Sequence, residues 1–303
     1  MSSSEIHLPE PMNILDAFTK EPPEPDFVFP GLLSGTVGSI ISPGGVGKSF
    51  IALEAAIAVA TGCDITGGIF SSENQLTRKV LYLPAEDMST IIQGRLHWLG
   101  KHLNSDAHKA ACSSITIHSL VGKIPYIHTS SRDELDRKSA KAWASKLKEL
   151  AEEHDLVIID TLRRFHGCDE NDGAAMTRLI QVLEEIAFET GTTFIFLHHT
   201  NKASLTINGD SQGAARGSGV LTDNGRWQLN LVVMSKKEAN KKKVKECDRR
   251  NYIRIVQSKV NYSSSQEDIW LQRSEHGVLI PAKLKKKSTP NGQGIGREND
   301  SNE

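Results

Sequence analysis

The run IISPGGVGKSF at positions 40–50 holds residue types and a spacing suited to binding phosphate. The phosphate-loop pattern is G-x-x-x-x-G-K-[ST], and Gly47, Lys48 and Ser49 supply its second half. Gly44, Gly45, Val46 and Gly47 allow a curl whose successive N–H groups converge on phosphate oxygens. Lys48 would then reach the outer phosphates and the Ser49 hydroxyl would face Mg²⁺. The pattern's first glycine is replaced by Ser42, which stands at the strand exit ahead of the curl and removes no N–H donor. Such a loop also needs an acid at the end of another buried strand to hold Mg²⁺. Asp160, closing DLVIID, fits that need, although an aspartate there also suits a simple turn cap. A carboxylate to activate water is offered by LYLPAED: Glu86 is the expected general base, Asp87 the alternative, and Asp87 the better fit to a plain helix cap. FIFLHH ends on His198 and His199. Neighbours on a strand point to opposite faces, so only one of the two can face a nucleotide, which argues against a two-histidine metal site. The ligands implied are ATP and Mg²⁺.

These residues need a scaffold that brings several strand ends to one edge. The chain alternates apolar, β-rich runs with helical ones: GTVGSIIS then KSFIALEAAIAVA, RKVLYLPAE then MSTIIQGRLHWLGKHL, SSITIHSL then the charged stretch 132–154, DLVIID then AMTRLIQVLEEIAFET, and finally TTFIFLHH. Continuous Val/Ile/Leu strands separated by helices predict an α/β fold, a mostly parallel sheet covered by helices on both faces. In such sheets ligands collect at the carboxyl ends of the strands, where the candidate residues fall. Three further β-rich segments, RWQLNLVVMS, YIRIVQSKV and DIWLQR…GVLIP, have no helices between them and are expected to extend the sheet as antiparallel hairpins. Residues 1–30 read as an arm or linker around the short apolar NILDAF, 31–283 as the catalytic domain, and 284–303 as a polar tail too hydrophilic to pack. The polar, glycine-rich stretch 200–224 is long for a loop inside a domain, a length usually tied to function.

Bulk properties set few further bounds. The 303 residues are 38% hydrophobic and 24% charged with a net charge of −1, ordinary for a globular chain able to bury a large core. Cys63, Cys112, Cys168 and Cys247 show no C-x-x-C spacing, consistent with a reduced, cytoplasmic protein. No signal-peptide pattern opens the chain and no apolar run reaches 18 residues, so no membrane association is expected.

The order SPGGVGKS, LPAED, IIDTLRRFH, FLHHTNK, AARGSGVLTDNGRW resembles the RecA-like P-loop ATPases, grouped with AAA-type ATPases. Within them it is similar to the RepA-type hexameric replicative helicases of broad-host-range plasmids, from about MNILDAF to GVLIPA. The Ser-Pro-Gly-Gly form of the loop is usual in that family, which accounts for Ser42. The resemblance implies that Lys48 and Ser49 bind phosphate and Mg²⁺, that Glu86 activates water, and that Asp160 is the metal-holding acid. It makes His199 a sensor coupling the γ-phosphate to the following DNA-binding loop, and Arg216 an arginine finger reaching the neighbouring subunit's nucleotide. The related DnaB-type helicases carry a K-x-R pair on a late strand; here SKVNY has Lys259 and Asn261, which shifts the finger role to Arg216 with Lys259 as a helper.

The expected partners are single-stranded DNA, other copies of this chain in a ring of the hexameric kind, and replication initiator or primase proteins. Lys202 in the 200–224 loop is the candidate DNA contact, since binding of this kind needs positive charge more than base reading. The basic tract SKKEANKKKVKECDRR reads first as a solvated hairpin. Arg163 and Arg164 suit either a subunit bridge or DNA. The expected activity is thus an ATP-driven DNA helicase of plasmid or phage replication. The alternatives are a DNA-stimulated ATPase of repair, recombination or signalling that does not unwind, and a small-molecule kinase, which the long glycine-rich loop and the late hairpins disfavour.

Overall fold

The protein is described by a computed structural model over residues 10–71, 77–199, 225–262 and 267–284. The first half of the chain forms α1 (Ile14–Thr19), the paired β1 (Phe27–Phe29) and β2 (Leu32–Leu33), β3 (Val37–Ser42), α2 (Lys48–Thr61), β4 (Val80–Pro84), α3 (Ser89–Gly100), α4 (Ser105–Ser114) and β5 (Ile115–Ile117). The next segments are β6 (His128–Thr129), α5 (Glu134–Ala151), β7 (Leu156–Asp160), β8 (His166–Gly167), α6 (Gly173–Thr190) and β9 (Thr193–His199). Beyond residue 224 stand β10 (Trp227–Val233), α7 (Lys236–Lys242), β11 (Tyr252–Val260), β12 (Ile269–Arg273) and β13 (Leu279–Pro281).

Among the described residues the main sheet has nine strands in the order β13-β12-β11-β10-β3-β9-β7-β4-β5. The six from β10 to β5 run parallel. The last three continue the sheet in antiparallel register. The expected α/β fold is therefore the observed one, with two local corrections. The first late β-rich segment, β10, pairs antiparallel with β11 as expected but also lies parallel beside β3, its buried Trp227, Leu229 and Leu231 joining the core that faces α2. The basic tract also contains a helix, α7, started by a capping box in which the Ser235 and Glu238 side chains each satisfy the other's backbone N–H. Its charge alone suggests a solvated hairpin; the cap, not the charge, decides the local structure.

The parallel strands are buried on both faces, and alternation divides their side chains between two cores. Val80 and Tyr82, Leu156 and Ile158, and Ile195 and Leu197 face α2. Leu81 and Leu83, Val157 and Ile159, and Phe194 and Phe196 face α5 and α6. Helices α5 and α6 start at Asp133 and Asp172, whose carboxylates accept the first-turn N–H groups. Helix α2 starts at Gly47 with no side-chain cap, so its first N–H groups remain directed at whatever lies in front of it. Val28 and Phe29 are buried, with Phe29 packed on Phe70 and Trp227 at ring distances of 4.9 and 5.7 Å. Helix α1, by contrast, buries none of its residues and presents Ile14, Leu15 and Phe18 to solvent. No helix among the described residues is long and apolar enough to cross a membrane.

Candidate nucleotide site

The turn between β3 and α2 sits at the carboxyl edge of the sheet. Gly45 and Gly47 adopt φ values of +77° and +116°, which L side chains rarely take, and a Cβ on Gly45 would meet nothing within 4 Å. The curl is thus open on the side where a ligand approaches. Lys48 is 5% exposed, and its ammonium donates to the Ser42 carbonyl (2.9 Å), the Ser42 hydroxyl (3.1 Å), the Pro43 carbonyl (3.1 Å) and His199 Nδ1 (2.9 Å). Three N–H bonds are shared among four neutral acceptors, and among the described residues the ammonium makes no ion pair. Burial lowers the Lys48 pKa to about 8, against the opposing pull of the Asp160 and Glu86 charges. A buried cation surrounded by neutral acceptors, in front of an uncapped helix start, is a fit for an anion such as phosphate. Ser42, at a position where the loss of glycine removes no donor, adds an acceptor that helps hold the lysine.

The acids come from two neighbouring strands. Asp160 is 4% exposed at the end of β7, where Tyr82 of β4 donates to its Oδ2 at 2.6 Å. Burial raises the Asp160 pKa, while hydrogen bonds from Tyr82 and Ser49 work the other way. The Ser49 hydroxyl and the Asp160 carboxylate thus meet, an oxygen pair of the hard-ligand kind that Mg²⁺ prefers. Glu86 follows β4 and lines the same cavity. Its Oε1 accepts from the Thr161 hydroxyl at 3.3 Å and from Arg164 Nε at 3.2 Å. Asp87 does not line this cavity and is ion-paired with Arg95 at 2.6 Å.

The two histidines separate as strand geometry requires. His198 is buried, and that burial lowers its pKa to about 4. His199 faces the cavity, with Nδ1 on Lys48 and Nε2 3.9 Å from Glu86 Oε2. Burial and the Lys48 charge lower its pKa, so the ring is neutral at pH 7. An ammonium can only donate, so Nδ1 is the acceptor and Nε2 carries the proton, pointed toward Glu86. Arg216 and Lys202 lie outside the described residues. Lys259, near the end of β11, pairs with Gln228 in the sheet register.

Several residues of the site gave no sequence signal. The β12–β13 hairpin folds over the phosphate turn: Arg273 donates to the carbonyls of Gly45 (3.1 Å) and Val46 (2.5 Å), and the Leu279 N–H donates to the buried Glu54 carboxyl (2.8 Å). Gly277 abuts the Phe50 ring, and His276 stacks on Trp98 with centroids 3.3 Å apart. Arg95 lies over Phe50 at 5.7 Å. Together Gly45, Lys48, Ser49, Glu86, Asp160 and Arg273 help enclose a cavity of about 310 Å³, the lower end of the size range of small-molecule sites. Larger grooves of about 460 and 590 Å³ lie elsewhere, and neither brings an ammonium, paired acids and a glycine turn together. Tyr82 was hidden for the same reason as Arg273, a partner remote in sequence, and so was the contact of Arg164 with Glu86, although Arg164 itself stood out in the sequence.

Residues 4–204 match a protein family described as an AAA domain. Among solved structures the fold is similar to the RadB recombinase, at 15% identity and a TM-score of 0.50 over 84% of this chain and 93% of that one. It is also similar to a KaiC-like protein of the hyperthermophilic archaeon Pyrococcus horikoshii, at 12% identity and a TM-score of 0.53 over 86% of this chain and all of the other. The family match covers well over half of the sequence, and the chain belongs to this AAA-domain family, with the RecA-like fold of P-loop ATPases.

Proposed function

We propose that this chain is an ATP-hydrolysing, ring-forming DNA helicase that moves along single-stranded DNA, of the RepA type its motifs resemble. The observation that carries the reading is the position of Glu86, which faces Lys48 and Asp160 across one cavity while Asp87 is engaged by Arg95. In this reading the N–H groups of the 44–49 turn and the Lys48 ammonium hold the phosphates. Ser49 and Asp160 hold Mg²⁺, which when bound neutralises charge on the phosphate oxygens. Glu86 takes the proton of the attacking water, and the neutral His199 reports on the terminal phosphate through its contacts with Lys48 and Glu86. Arg216 from an adjacent copy stabilises the transferring phosphoryl group, and Lys202 holds the DNA backbone. These last two roles rest on the resemblance. The exposed Ile14, Leu15 and Phe18 of α1 support a tethering role for the arm between copies.

A similar fold bears the name recombinase, so the rival reading is a DNA-stimulated ATPase that does not unwind. Strand displacement on forked DNA separates the two, measured with ATPase rate and solution mass. ATP-dependent unwinding by a DNA-stimulated oligomer is expected. Stimulated hydrolysis without displacement would favour the rival, and a monomer indifferent to DNA would overturn both.

A further inference from the structure

We propose that Arg164 is a positioning residue that restrains Glu86 until a phosphate of single-stranded DNA draws it away. The proposal rests on the reading of Glu86 as general base and adds its control. Arg164 lies on the single helical turn Leu162–Phe165 that comes after Asp160, and the turn is set by the Arg164 N–H donating to the Thr161 carbonyl at 3.0 Å. Its Nε donates to Glu86 Oε1 at 3.2 Å, and the Thr161 hydroxyl donates to the same oxygen at 3.3 Å. An oxygen of an ionised carboxyl has about two acceptor sites, so Oε1 is filled by these donors and cannot also take a proton from water. The other oxygen, Oε2, is faced by the protonated Nε2 of His199 at 3.9 Å. Glu86 is therefore held at Oε1, while the His199 contact at 3.9 Å is too long for a hydrogen bond.

The hold on Oε1 is weak by construction. The Arg164 side chain is 59% exposed and that of Glu86 38%, so solvent screens the pair. Such a pair biases a carboxylate by a factor of at most about five. The exposed Arg164 side chain follows Arg163, itself 52% exposed and 3.8 Å from Glu170. A guanidinium of this exposure is suited to a phosphate diester, which accepts two parallel N–H bonds where Glu86 here accepts one. Phosphate capture would take Arg164 from Oε1, leave only the neutral Thr161 hydroxyl, and free that oxygen for water.

The test is Arg164→Ala, with Arg164→Lys and Glu86→Gln alongside, in the full chain. Without DNA, Arg164→Ala is expected to hydrolyse ATP up to about fivefold faster, with the ratio of oligonucleotide-stimulated to basal rate falling by the same factor. Arg164→Lys should lie between it and the unaltered chain. The slope of log affinity for an oligothymidylate against log salt should fall by about 0.7, the share of one single-strand phosphate. A basal rate that stays the same or drops overturns the proposal. A drop would mean that the nucleotide's own phosphate captures Arg164. Failure of the underlying reading looks different: Glu86→Gln would then still hydrolyse ATP, whatever Arg164→Ala does. With the reading intact, Arg164→Ala added to Glu86→Gln restores no hydrolysis.

Discussion

Replacing Tyr82 by phenylalanine removes one hydroxyl and leaves the buried ring in place among the residues that face α2. That hydroxyl donates to Asp160 Oδ2 at 2.6 Å, and Asp160 is 4% exposed, so water is not expected to substitute for it. A hydrogen bond to a charged group contributes about 1.5–3 kcal/mol, and the remaining Ser49 bond places the loss near the lower end. For a chain of this size that corresponds to a fall in Tm of about 3 °C. Asp160 also loses the donor that orients it, and loss of such outer partners typically weakens a metal site about 10- to 100-fold. The direction of the Asp160 shift sets the pH dependence. Burial raises its pKa in the folded chain, and removing a donor to the ionised form raises it further. The folded variant then binds more protons than the unfolded chain, an advantage present at low pH and lost as pH rises through the folded value. The stability deficit of Tyr82→Phe should thus shrink as pH falls from neutral toward the ordinary carboxylate range. Thermal melts across that range, with Mn²⁺ titration of the nucleotide-loaded protein monitored by electron paramagnetic resonance, measure both effects. An unchanged Mn²⁺ affinity, or a deficit independent of pH, would refute the argument.

Other predictions test neighbouring contacts. Glu86→Gln should lower kcat by about 10²- to 10⁴-fold with nucleotide binding retained, while Asp87→Asn, which loses only the Arg95 pair, should keep most turnover; the reverse pattern in single-turnover assays moves the base to Asp87. Gly277→Ala puts a Cβ 2.6 Å from the Phe50 ring at a φ of +96°; the left-handed backbone alone costs about 1–2 kcal/mol, so an unchanged Tm would contradict the close packing of the hairpin. Burial raises the Glu54 pKa to about 8 from 4.5, so the folded chain holds a proton there that the unfolded chain releases. The resulting stability is complete below 4.5 and is lost as pH rises through about 8. Glu54→Gln keeps an acceptor for the Leu279 N–H and should flatten that fall in a series of chemical denaturations; an unaltered slope would show that Glu54 is not its source.

Much of the scaffold can be read from the chain because its signals are local. Continuous Val/Ile/Leu runs such as LVIID and TFIFL mark strands buried on both faces, and the glycines of GGVGKS permit the backbone curl whatever surrounds them. Strict alternation along a strand also separates His198 from His199 without reference to any contact. The helix within 236–242 escapes such a reading because its capping box lies hidden in a charge run. Helix α4 escapes it because its residues are small and polar and only Ala107 among them is buried. The sequence by itself therefore determined the strand ends, the turn and the kinds of group available at them. Which groups meet was decided by tertiary structure. Asp87 rather than Glu86 is taken up by Arg95, Ser42 turns its hydroxyl to Lys48, Tyr82 reaches from β4 to Asp160 on β7, and Arg273 covers a turn 227 residues away. Each of these depends on parallel register and sheet order, which bring remote residues within hydrogen-bonding distance, and neither composition nor spacing encodes that distance directly.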